Sequence, residues 1–252
     1  MWRGLIRRAG AMPDLKTGHL VQRFYKKAGV LASSSGFQVT LDSRLLHTPE
    51  RQVLLLPSEA LALAVAAEWE QQEKFLNPHS MPLMQMSTRA VDLVLTGLKK
   101  SLLDRVVDYL ASDSLCFRET APELQAKQEA SLTPVLSHLK STYQLELPTV
   151  TGVQLLDLPA TTLSRFRTHC QSLDPFDLVA LETAASVSKS AALALSLQDG
   201  FISIAEGLRL SRLEEDFQHL LSGKVQAHDV EEAQELMILA AARALTVLKR
   251  AV

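Results

Sequence analysis

The sequence is poor in several things that enzymes and nucleic-acid binders use. Ten glycines in 252 residues leave little material for nucleotide loops. No phosphate-cradling glycine loop occurs, and neither does Gly-x-Gly-x-x-Gly. The absence of Gly-x-Ser-x-Gly removes the nucleophile elbow of one large hydrolase class. The two cysteines, Cys116 and Cys170, are too far apart for metal-ligand or redox spacing, and fit a structural role in a reducing compartment. No apolar run reaches the roughly 18–20 residues of a membrane span; the nearest, Ala191 to Leu197, is flanked by Lys189 and several serines. Positive charge is not in excess either. The formal net charge is −2, which argues against a nucleic-acid partner. Aromatics make up only 5%, so the core must be built from Leu, Ala and Val, a composition that favours helices.

Along the chain, the first segment stands apart. "MWRGLIRRAG" carries Arg3, Arg7 and Arg8 with no acid, the pattern of a mitochondrial transit segment over residues 1–19. Residues 20–57 read as a small β-rich domain. "RFYKKAGVLAS" and "GFQVTLDSRLL" are strand-like runs joined by turns, and "QVLLLP" is a further strand ending at Pro57. From residue 58 to 252 the pattern is helical. Leu61, Val65 and Trp69 recur every four residues, with Glu68 and Glu70 largely off that stripe. Gly97 marks a joint between helices over 83–96 and 98–112, and Pro134 begins or kinks a helix. Four more helices are expected near 160–172, 174–198, 203–222 and 228–250. The predicted class is α+β: a small N-terminal β-rich domain followed by a larger all-helical domain.

"LSRLEEDFQH", Leu210 to His219, is the stretch with the most chemistry. Ser203 with Glu206 fits a capping box and sets the helix start. At about 100° per residue from Ile204, Leu210, Leu213, Phe217, Leu220 and Leu221 fall within about 160–260°. Glu214 then lies near 280°, at the edge of that apolar stripe, with Glu215 near 20° and Asp216 near 120°. Consecutive acids fan apart and cannot close on one metal ion. Glu215 and His219 share a face, but no Glu-x-x-His pair occurs anywhere in the chain, so the di-iron bundle pattern is missing. Glu215 and Asp216 fit a solvated face paired with Arg212; Glu214 is either half buried or turned toward a partner. No catalytic constellation, cofactor site or metal site is expected. Met81, Met84 and Met86 in "MPLMQM" are a second candidate contact surface, against the plainer reading of core filler. Lys189, alone in an apolar helix, reads as a side chain that snorkels outward.

Taken together in order and spacing, "RFYKKAGV", "GFQVTLDSRLLHTP", "LLLPSEALALAVAAEWEQQ", "NPHSMPLMQMSTRAVD", "YLASDSLCFRE", "FDLVALETAASVSKSAALALSL" and "SRLEEDFQ" resemble the mitochondrial and bacterial assembly chaperone of F-type ATP synthase. The resemblance covers about residues 20–235. It implies a β-rich domain followed by a helical one, no catalysis and no cofactor. It also implies a partner, the unassembled α subunit, which such a chaperone shields from aggregation until the catalytic hexamer forms, and a mitochondrial matrix location. The family's functional glutamate lies in the acidic motif, which carries over to Glu214, with Glu215 next. Two family glycines are replaced, at Ser35 and Ser43, and two family tryptophans are absent, near Pro134 and after the acidic motif. No nucleic acid, membrane span or small-molecule substrate is implied. Two other readings stay open: a metal-dependent hydrolase using Glu214, Glu215, His219 and His228, and a helical scaffold for another matrix complex.

Overall fold

The computed structural model describes residues 21–152, 154–222 and 226–251; the segment expected to act in targeting lies outside them. The chain divides into two compact units. The first runs to Lys99 and takes back Ala244 onward; the second is Lys100–Arg243.

In the first unit, β1 (Ala28–Ser33), β2 (Gly36–Leu41), β3 (Arg44–Leu45) and β4 (Leu55–Leu56) form an antiparallel sheet. β2 is central, with β1 on one side and β3 and β4 on the other. Alternation puts Val39 and Leu41 of β2 into the core. A sheet this small needs its apolar face covered. Helix α1 (Glu59–Glu70) provides the cover, which is why it groups with the sheet although composition changes at Pro57. Ser58 caps it, accepting from the Leu61 N–H and donating to the Leu248 carbonyl at 2.6 Å. Leu61, Val65 and Trp69 form its buried stripe. The Trp69 ring meets Tyr25 edge-on at 5.5 Å, and the Tyr25 hydroxyl donates to the Trp69 carbonyl at 2.6 Å.

The backbone tolerates serine at both positions, 35 and 43, where the resemblance implies glycine. At the β1–β2 turn only Gly36 has positive φ, at 143°, and a Cβ there would lie 2.6 Å from the Leu56 carbonyl oxygen. Ser35 has no such requirement. At the next turn the positive φ falls on Asp42, not on Ser43. The Asp42 carboxylate accepts from the Lys26 and Lys27 N–H groups, which holds its own charge favoured.

Helix α2 (Pro82–Thr96) begins without a side-chain cap of its own and ends at Gly97, which is left-handed with φ 66°. Its missing cap comes from α1. Glu68 accepts from the Leu83 N–H at 2.8 Å and the Met84 N–H at 2.7 Å.

The second unit holds α3 (Lys99–Ala111), β5 (Phe117–Arg118), α4 (Pro122–Tyr143), β6 (Val150–Thr151), α5 (Ala160–Ser172), α6 (Pro175–Ser188), α7 (Ala191–Asp199), α8 (Ile204–Ser211), α9 (Leu213–Ser222) and α10 (Gln226–Leu248), the last of which ends in the first unit. β5 and β6 pair in parallel. Pro134, expected to begin or kink a helix, lies inside α4, so it does not begin one; both it and Ala130, whose carbonyl loses its donor, are exposed, so water can reach the orphaned oxygen. Three expectations need correcting. The helix expected over 174–198 is two helices. Lys189 ends α6 in a left-handed conformation with φ 54°, and Ser190 caps α7 through the Leu193 N–H. Lys189 is therefore an exposed terminator and not a snorkelling side chain. The helix expected over 203–222 also breaks, at Arg212. Buried Asp113 joins these pieces: it accepts from the Leu115 N–H, the Ser190 hydroxyl and the Ala192 N–H. Burial pushes its carboxyl up to about 6.

Candidate functional site

The acidic stretch opens α9, a ten-residue helix set off from α8 by Arg212. Ser203 caps α8 through the Glu206 N–H, as the capping pattern predicts. The break at Arg212 alters the burial of the apolar positions. Leu210 is buried, but Leu213 and Phe217 are half-buried and Leu220 is 75% exposed. The apolar stripe therefore emerges toward solvent along α9 instead of staying in the core. Lys127 of α4 lies 5.1 Å above the Phe217 ring.

Each acid has a different environment. Arg212 is buried, and its guanidinium lies 3.2 Å from Glu215 and 2.7 Å from Glu235 of α10. Glu215 is thus anchored to a buried cation and is more than a solvating charge. Asp216 is exposed. Glu214 is exposed as a residue, yet its carboxylate is turned against α4, where Gln128 Nε2 donates to Oε1 at 2.7 Å. Gln128 is buried, and its own Oε1 accepts from the Glu119 N–H at 2.8 Å. Arg118 of β5 is buried too, donating to the carbonyls of Leu115 and Phe117 and pairing with Glu129 at 3.1 Å. Desolvation and then the nearby Glu119 carboxylate raise the Glu214 carboxyl above its ordinary range, while the Gln128 hydrogen bond and the Arg118 charge pull it back.

The other candidates fall out differently. Met81, Met84 and Met86 are all buried in the first unit, at 2% exposure or less. They fill its core and present no surface to a partner, so their candidacy as contacts is withdrawn. His219 is half-buried on α9, and the side chain of His228 lies outside what is described. Among the described residues no group of three His, Cys, Asp or Glu side chains could hold a metal ion, and no helix is long and apolar enough to cross a membrane.

Gln128 and Arg118 were not singled out from the sequence, although a signal was there. Leu124, Leu132, Val135 and Leu139 are the buried positions of α4, and Gln128 stands among them at helical spacing. A polar residue inside such a stripe must find partners, and it does so at Glu119 and Glu214.

A sheet-based unit, a helical unit and an anchored acid beside emerging apolar side chains are what the fold offers, and the class of the protein follows from its relatives. Comparison with known proteins makes this specific. The model of the ATP12 chaperone protein family matches residues 22–140. The crystal structure of Atp12 from Paracoccus denitrificans superposes with a TM-score of 0.82 at 30% identity, covering 91% of this chain and 99% of that one. The Agrobacterium tumefaciens protein Atu1473 gives a TM-score of 0.85 at 30% identity, covering 97% of this chain and 93% of its own. The mitochondrial protein atp12 of Schizosaccharomyces pombe is 24% identical over 229 residues, 83% of this chain and 77% of that protein. The chain belongs to the ATP12 chaperone family, whose role is ATP synthase assembly and whose members are not enzymes.

Proposed function

We propose that the protein binds the unassembled α subunit of F-type ATP synthase, keeps it from aggregating, and gives it up as the catalytic hexamer forms. The observation that carries the site assignment is the Glu214 carboxylate, held by Gln128 at the head of α9 on an otherwise exposed residue. Beside it, Phe217 and Leu220 offer apolar area that emerges from the core. An α subunit without its neighbours exposes a large interface, which is an aggregation hazard. A holdase needs only to cover that surface more weakly than the final partner does, so a few contacts should dominate. A partly desolvated acid facing a basic group on the client is a contact of that kind. Glu215 is occupied by Arg212 and serves the fold. The mitochondrial designation of the S. pombe relative supports a mitochondrial location, and the matrix is where the α subunit would be met.

The test compares Glu214→Gln with Glu215→Gln for capture of recombinant α subunit and for suppression of its light scattering on dilution from denaturant. Glu214→Gln should keep its melting temperature and lose capture by roughly 2–5 kcal/mol of binding free energy. Glu215→Gln should lose some stability and retain capture. Parent-like capture by Glu214→Gln would move the site elsewhere, and a parent protein that captures no α subunit would end the reading.

A further inference from the structure

Gln128 has an arrangement that the binding role of Glu214 does not by itself require. Its side-chain amide is almost fully buried, at 1% exposure for the residue, and lies between a donor and an acceptor. On one side the Glu119 N–H must be accepted; on the other the Glu214 carboxylate must be donated to. Only one orientation of the amide satisfies both. Turned over, it would set its NH2 against an N–H and its oxygen against a carboxylate. The backbone of Glu119 therefore fixes which end of Gln128 faces α9. Arg118 does not perform this task. Its Nε and Nη1 are spent on Glu129 and on two carbonyls, and its buried Nη2 has no hydrogen-bond partner among the described residues, so it acts on Glu214 through charge.

We propose that Gln128 is the positioning residue of the client-binding site: it holds the Glu214 carboxylate in the pose that meets the client. The inference rests on the reading of Glu214 given above. A free glutamate side chain on an exposed helix has three rotatable bonds to freeze when a partner arrives. Held in advance by a rigid amide, it has less to lose. The chain of contacts runs from the Glu119 backbone through Gln128 to Glu214, so the pose is set by α4 and the segment after β5, not by α9 itself.

The experiment is a double-mutant cycle on binding to immobilised recombinant α subunit, with Gln128→Met, Glu214→Gln and the pair, each measured well below its melting temperature. Gln128→Met should weaken binding roughly three- to tenfold, and that loss should vanish when Glu214 is already Gln, because a residue acting through Glu214 has nothing left to act on. Gln128→Glu supplies a readout that a merely structural role would not move. At neutral pH it sets two carboxylates against each other and should bind worse than Gln128→Met. When the pH falls, one proton shared between them restores a donor, and its deficit relative to the parent should narrow. Losses from Gln128→Met and Glu214→Gln that simply add would overturn the proposal while leaving the Glu214 reading intact. So would parent-like binding by Gln128→Met in a chain where Glu214→Gln fails to bind. If Glu214→Gln binds like the parent, the underlying reading fails, and the positioning role fails with it.

Discussion

At Glu68, burial pushes the carboxyl up to about 7 even though two N–H groups at the head of α2 favour its charged form. Desolvation wins because most of the group is out of water. The consequence for stability has a definite sign. A raised pKa in the folded state means that the native protein holds this proton more tightly than the unfolded chain does. The contribution to folding is fully present below the ordinary value of 4.5 and is lost as pH rises through about 7. Urea midpoints of the parent should therefore fall between pH 5 and pH 8, and those of Glu68→Gln should fall less over the same range. Parallel profiles would mean that the carboxyl is already ionised at pH 5. On the α1 wheel Glu68 lies at the edge of the buried stripe, about 20° from Leu61, and the head of α2 closes on its carboxylate there.

Helix α1 was the most legible element of the first unit, and its central side chain makes a direct test. Leu61, Val65 and Trp69 recur at helical spacing and are buried as that spacing predicts. Trp69 packs against Tyr25 from the segment before β1, which fastens the helix to the sheet. Trp69→Ala should cost roughly 3–5 kcal/mol, seen as a large drop in melting temperature. An unchanged melt would mean that the ring carries no packing energy. The helices of the second unit were less legible where they stop. The runs over 174–198 and 203–222 are periodic throughout, yet each is interrupted once. Lys189 ends one helix and Ser190, an ordinary cap residue, starts the next, its hydroxyl held by Asp113 seventy-seven positions away. Arg212 interrupts the other run, at a point where buried positive charge is matched by Glu215 and Glu235. Capping by a distant residue leaves no local mark.

At the scale of the whole molecule, the chain returns to its beginning. Ala244 onward belongs to the first unit, where Leu245 is fully buried and the Leu248 carbonyl accepts from the capping Ser58. Ending the chain after Arg243 should therefore destabilise the first unit selectively. Limited proteolysis of the truncated protein should cut within residues 21–99 earlier than in the parent, with the second unit's fragments persisting. Uniform resistance would show that the last residues add nothing to that fold. The same closure explains why the composition change at Pro57 does not mark a unit boundary. The sheet alone has too little apolar area to bury; α1 covers it, and α2 and the chain's end join the same unit through α1 and its cap.

The sequence by itself determined the class of the fold, the strand-then-helix order and the α1 stripe, and it marked the acidic segment proposed as the site. Those features are written in local periodicity, turn residues and short motifs, and local physics reads them. Which acid of "LEED" is held by Gln128, which one is spent on Arg212, and whether the methionines face in or out were decided only in three dimensions. Glu214 differs from Glu215 because Gln128 meets one and Arg212 the other. The methionines lie in the core because the first unit closes over them. Desolvation and hydrogen-bond partnership are properties of what arrives from elsewhere in the chain, and a window of neighbouring residues does not contain them.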